Sequence, residues 1–181
     1  MSMKLQIDTK TSDPQEELLT QVDENNSVIG SISRGKAHNI VGVFYRTIYV
    51  LVFNDQGEVL IQKRSPSKDL YPNRWDLSVG GHVNFGKNYL ETAIREVKEE
   101  LGFKVDKTNL IFKGEVLVKL SKAGEFFSVF EYKLNPDQVI SANIEEVDET
   151  KWMTIVDIKK SMANKLLDWY DRPLQVIRAL Y

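Results

Sequence analysis

The chain has 181 residues, 42% apolar and 28% charged, with a formal net charge of −2 and no cysteine. This length suits one domain with a sizeable core. The charge offers no basic field for nucleic acid, and the missing cysteines exclude disulfides, thiolate zinc sites and cysteine nucleophiles. The N-terminus lacks the apolar stretch of a signal peptide. The longest apolar run, Ile48 to Phe53, is too short to span a bilayer. A cytoplasmic protein without a membrane partner is therefore expected.

Residues 1–16 read as a poorly defined N-terminal segment and residues 17–181 as a single domain with C-terminal helices. Glu17 to Arg34 reads as a hairpin, ELLTQVD and VIGSISR around the turn signal ENNS, and this hairpin offers a surface for a homodimer. Asn39 to Phe53, rich in Val, Ile, Tyr and Phe, is expected to be one long strand. The turn Asn54 to Gly57 joins it to the strand EVLIQKR. SPSKDLYPN follows as a loop and RWDLSV as a short strand. Asn109 to Leu120 and Glu125 to Leu134 carry strand composition, separated at Gly124. Ile155 to Leu167 is expected to be helical, opening around Thr154 and Asp157. Arg172 to Leu180 forms a last short helix with Pro173 in its first turn. Strands, one helix, more strands and terminal helices predict an α/β sandwich with a mixed sheet.

The helix between those strand groups is the most informative segment. Asn88 and Glu91 have the spacing of a capping box, and Gly102 is placed to end the helix. At about 100° per residue, Leu90, Ala93, Ile94, Val97 and Leu101 share one arc, which should face the core. Glu96, Glu99 and Glu100 fall on one flank, with Glu100 at the edge of the apolar stripe. Glu91, Arg95 and Lys98 fall on the other. Acids three and four apart repel by roughly 0.2–0.5 kcal/mol per pair, and a helix C-terminus disfavours negative charge. The cluster is either a solvated acidic face or the ligand set of a hard divalent cation such as Mg²⁺ or Mn²⁺.

Two glycine patterns overlap here. GHVNFGKN nearly fits a phosphate-binding loop through Gly81, Gly86 and Lys87, but Asn88 stands where that motif needs a hydroxyl. It also leaves the three acids unexplained. The longer pattern runs from Gly81, through position 87, to Arg95-Glu96-Val97-Lys98-Glu99-Glu100-Leu101-Gly102-Phe103. It resembles the Nudix box, G-x5-E-x7-R-E-U-x-E-E-x-G-U with U apolar, at every fixed position but one. Lys87 replaces the first Glu. The resemblance implies a Nudix fold, an α/β/α sandwich over residues 17 to about 165. It also implies Mg²⁺- or Mn²⁺-dependent hydrolysis of a small nucleoside diphosphate or other diphosphate linked to a group X. Carried over by position, Glu96, Glu99, Glu100 and the Gly80 carbonyl are metal ligands, Glu96 and Glu99 are catalytic, and Arg95 orients them. Lys87 implies weaker metal affinity, and Glu91 could take over its pairing with Arg95. A catalytically weak or inert diphosphate-binding module of the same fold is the alternative.

The stretch from His38 to Val83 is further similar to the Nudix branch that contains type I isopentenyl-diphosphate isomerase. By that resemblance His38 and His82 fall at histidine positions, Tyr45 at a third, and Arg64 and Lys68 at contacts to the substrate diphosphate. Gly80 falls at the catalytic Cys position and Glu125 at a catalytic Glu. Without the Cys, hydrolysis is expected rather than isomerisation. Trp75 reads as core or pocket wall, Lys63 as solvated, and the acidic loop of Glu145, Glu146, Asp148 and Glu149 as surface in preference to the source of a late catalytic carboxylate.

Overall fold

The computed structural model describes residues 13–121 and 123–181. The N-terminal segment expected over residues 1–16 therefore lies outside the described residues up to position 12. The elements are β1 (Leu18–Val22), β2 (Val28–Ser33), α1 (Arg34–Ala37), β3 (Val43–Phe53), β4 (Val59–Arg64), β5 (Trp75–Asp76), β6 (Val79–His82), α2 (Tyr89–Leu101), β7 (Leu110–Lys119), β8 (Ala123–Lys133), β9 (Val147–Met153), α3 (Ile155–Ala163) and α4 (Asp171–Leu180). Among the described residues nine strands join one mixed sheet. β3 is its centre. It runs parallel to β8 along its whole length and antiparallel to β1, β4 and β6.

Period-two alternation along β3 builds both cores at once. Ile48, Val50 and Val52 pack with Leu60, Val97 and Leu101 beneath α2. Tyr49 and Leu51 point the other way, joining Val59, Ile61, Ile158, Val176 and Ile177 under α3 and α4. Helices thus cover both faces, which is the expected α/β sandwich.

Local chemistry sets most boundaries. The Asn54 side chain accepts from the N–H groups of Gln56 (3.0 Å) and Glu58 (2.9 Å), closing the β3–β4 turn. Asn88 caps α2 by accepting from Glu91 N at 2.8 Å, Glu91 answers with its carboxylate on Asn88 N, and Gly102 ends the helix at φ +79°. A cap of this kind is worth about 1 kcal/mol.

Five expectations change, the first being that Gly124, expected between two strands, lies within β8. The strand expected from Asn39 begins at Val43. Arg34 N and Gly35 N donate to the carbonyls of Glu17 and Gln15, which draws the chain into the single turn of α1 first. RWDLSV is divided between β5 and β6 rather than forming one strand. α3 stops at Ala163, and Lys165 just beyond it has φ +53°. β9 is a strand the sequence hides: VDETKWM carries a polar run, Asp148 to Lys151, yet it pairs with β4 from Val59↔Met153 to Arg64↔Val147.

Candidate active site

β6 and α2 meet where the glycines are. A Cβ on Gly81 would lie 2.0 Å from Glu96 Oε1, so the carboxyl group occupies the room a side chain would need. The phosphate-loop reading of Gly81, Gly86 and Lys87 fails on this packing, and Lys87 is exposed. Glu100 is only 5% exposed. Its Oε1 accepts from Gly80 N at 3.3 Å and its Oε2 from Gln62 Nε2 at 2.7 Å. Arg95 does not pair with Glu91, which the capping box engages. Its guanidinium instead donates to Glu96 Oε1 (2.7 Å), Glu99 Oε2 (2.6 Å) and the His82 carbonyl (3.4 Å). Burial pushes the Glu96 carboxyl up to about 7, against the pull of Arg95. Burial, with Glu96 close by, holds Glu100 well above the usual carboxylate range.

These groups form one end of a cavity of about 340 Å³. Eight carboxyl groups and five cationic side chains line it. β4 supplies Gln62 and Arg64, on the same side of the strand as Leu60, which packs under α2. Arg64 donates to the Leu70 carbonyl (3.0 Å) and lies 3.4 Å from Asp76. Lys68 is held between Asp13 (2.5 Å) and Glu146 (2.6 Å). Of the acidic loop expected at the surface, Glu146 therefore reaches the cavity. Asp148 pairs with Lys63 outside it at 2.9 Å. Trp75 is buried in the core under α3 and α4.

Glu125 lines the cavity but is not a free base here. It is 1% exposed, accepts from Tyr45 Oη at 2.5 Å, and is gripped by both Nε and Nη2 of Arg172. The histidines also differ from expectation. His82 faces the cavity, whereas His38 lies behind it, Nε2 to Nε2 at 3.4 Å, lining a smaller cavity of about 110 Å³. Burial lowers His82 well below its usual value and His38 to about 4, so both are neutral at pH 7. Arg34 Nη1 is 3.2 Å from His82 Nδ1. A guanidinium only donates, so Nδ1 accepts and the His82 proton sits on Nε2, facing His38. The pair is a closed relay rather than two free ligands.

Several lining residues carried no assignment in the sequence. Gln62 follows the apolar run Val59-Leu60-Ile61, Asp76 lies between Trp75 and Leu77, and Arg172 precedes Pro173. Asp76, a charge between two apolar residues, carries a signal that could have singled it out, whereas Gln62 and Arg172 each have a charged neighbour and carry none. Arg34, bound to Asp13 (3.1 Å), Glu17 (3.6 Å) and Asp69 (2.9 Å), had none.

Among the described residues no three acids or histidines already stand at metal-ligand spacing. The donor set nonetheless fits a hard divalent cation. Half-buried Glu96 and buried Glu100 lie four residues apart on α2, the carboxyl of each held up by desolvation and by neighbouring acid, and the cavity has more acids than bases. Gln62 Oε1 is buried there with no partner among the described residues, a loss worth about 1–3 kcal/mol if nothing supplies one.

A mixed-sheet sandwich carrying a glycine strand against an acidic helix defines a Nudix-type hydrolase. Residues 43–174 match the family model described as the NUDIX domain. An uncharacterized Nudix hydrolase of Yersinia pestis is 33% identical over 141 residues, covering 76% of this chain and 72% of that protein. Another, from Pseudomonas aeruginosa, is 41% identical over 88 residues, 49% of this chain, and the match spans about half of that protein (52%). The crystal structure of DR0079 from Deinococcus radiodurans superposes with a TM-score of 0.73 at 28% identity, covering 91% of this chain and 99% of that one. The chain belongs to the Nudix family.

Proposed function

We propose that this Nudix hydrolase cleaves the diphosphate linkage of a small nucleoside diphosphate or other diphosphate compound, and that it needs Mg²⁺ or Mn²⁺. The observation that carries this reading is half-buried Glu96 beside buried Glu100 in a cavity whose other walls bring Arg34, Arg64, Lys68 and Arg172 together. Glu96, Glu99, Glu100 and the Gly80 carbonyl would hold the cation, which supplies charge neutralisation and an acidified water. Arg95 keeps Glu96 and Glu99 turned toward each other. Arg64 and Lys68 take the phosphate oxygens, Arg64 as a fork and Lys68 as a mobile charge that a phosphate draws away from Asp13 and Glu146. Water adds to one phosphorus and its oxygen stays there, the bond from that phosphorus to the bridging oxygen breaks, the bridging oxygen leaves on the other phosphate, and a proton is released.

The likeness to the isopentenyl-diphosphate-isomerase branch enters through Arg64 and Lys68 alone. A Cβ at Gly80 would be 2.8 Å from Tyr49 Cε1, so the position of that branch's Cys has no room for a side chain here. The composition adds the cytoplasm as the proposed compartment and a small molecule as the proposed partner. Release of phosphate or a monophosphate from nucleoside diphosphates, sugar nucleotides, thiamine diphosphate and isoprenyl diphosphates, with Mg²⁺, Mn²⁺ or EDTA, tests the reading. Metal-dependent release from any of them supports it. Silence across the panel, together with undetectable cation binding, leaves the inert binding module.

A further inference from the structure

We infer that Gln62 is a positioning residue of the cation site: its amide nitrogen fixes the Glu100 carboxylate, and its amide oxygen accepts a water of the cation's shell. This rests on the cation-dependent reading above and goes beyond it, since Gln62 lies on β4, outside the glycine–helix motif. Gln62 is 3% exposed in a strand whose preceding residues, Val59, Leu60 and Ile61, are all apolar core. Nothing in the packing of the sheet calls for an amide there. Of the two ways the amide can sit, the observed one puts a donor on Glu100 Oε2 at 2.7 Å, while Gly80 N holds Oε1 at 3.3 Å. Both carboxylate oxygens are thereby fixed in direction, which is what a partner behind a metal ligand does. The same orientation leaves Oε1 of Gln62, itself a cavity-lining residue, buried and without a partner among the described residues. A buried amide oxygen is rarely left unpaired. Because Gln62 lines the cavity, a donor bound there is the nearest source for the missing bond, and a cation-bound water, rich in donors, fits.

The test is Mn²⁺ affinity by paramagnetic resonance titration of the wild type, Gln62→Met and Gln62→Asn, with folding checked by circular dichroism. Met keeps the length without the amide. Asn keeps the amide but withdraws it from Glu100. Both are expected to weaken Mn²⁺ binding about 10–100-fold, and to lower kcat at saturating substrate while leaving the KM for substrate close to the wild type. Wild-type Mn²⁺ affinity in either folded variant overturns the inference. A second measurement needs no variant: the Gln62 side-chain amide resonances of the ¹⁵N-labelled wild type are expected to move on Mg²⁺ saturation. Unmoved resonances with Mg²⁺ bound overturn the inference alone, whereas a wild type that binds neither cation overturns the reading beneath it.

Discussion

Gly81 and Glu96 share one space: the Glu96 carboxyl oxygen sits 2.0 Å from where a Cβ on Gly81 would be. This contact joins the glycine strand to the acidic helix and explains why the two halves of the motif occur together. Gly81→Ala must push the Glu96 carboxyl out of its niche. Because Glu96 is a flexible side chain, the fold is expected to survive with a small drop in Tm. Turnover is expected to fall about 100-fold, since an ångström of misplacement at a reacting centre has that effect. Parallel melting curves and kcat measurements check this, and unimpaired kcat in the Gly81→Ala variant contradicts it.

Glu125 and Arg172 form a bidentate pair deep in the protein, with Arg172 also 5.0 Å over the Tyr71 ring. Arg172→Ala strands a buried carboxylate and is expected to destabilise by about 3–5 kcal/mol. Combining Arg172→Met with Glu125→Gln removes both charges and should recover most of that loss. Urea midpoints of the two variants decide whether the pair acts as a structural unit.

Glu96 and Glu100 make cation binding depend on pH with a definite sign. The Glu96 pKa rises from 4.5 to about 7, and Glu100 moves the same way. The Glu96 contribution to stability is complete below about pH 4.5 and is lost as pH rises toward 7, and Glu100 acts in the same sense. His38, lowered from 6.5 to about 4, acts in the opposite sense: its contribution is present above pH 6.5 and is lost as pH falls toward 4. The melting temperature of the metal-free protein mixes the two. The increment on adding Mg²⁺ isolates the glutamates. It is expected near zero at pH 5 and about 5–10 °C at pH 8 with Mg²⁺ a hundredfold above Kd. Thermal scans from pH 5 to 8 with and without Mg²⁺ measure it, and a flat increment contradicts it.

Lys87, the residue that departs from the family pattern, is exposed and does not line the cavity, and its N–H is tied to the Asn84 carbonyl at 2.9 Å. An exposed charge is screened by salt and water. Lys87→Glu is therefore expected to change the Mn²⁺ Kd by less than about threefold at physiological ionic strength. A tenfold tightening would show that Lys87 weakens the site, as its place in the motif first suggested.

Legibility in the sequence followed the range of the interactions. The α2 capping box, its Gly102 terminus and the three acids on one flank are set within about four residues and read directly. The β3–β4 hairpin was equally plain. Glu100, at the edge of the apolar stripe, is fully buried because Gln62 of β4 and Gly80 of β6 both bind its carboxyl group. No local pattern shows that Arg34 and Arg172, from opposite ends of the chain, line one cavity. Nor could strand composition show α1, which is drawn off the path of β3 by backbone hydrogen bonds to Gln15 and Glu17. β9 was hidden because its outward residues are charged. Glu146 looked like surface because only its partner Lys68, 78 positions away, places it at the cavity.

The most direct test of the central claim is turnover of the best diphosphate substrate with saturating Mg²⁺, wild type beside Glu100→Gln and Glu99→Gln, each checked for folding. Metal-dependent turnover is expected of the wild type, and its loss in both variants with the fold intact. Folded variants that turn over at the wild-type rate would contradict the assignment of the glutamate helix as the cation site.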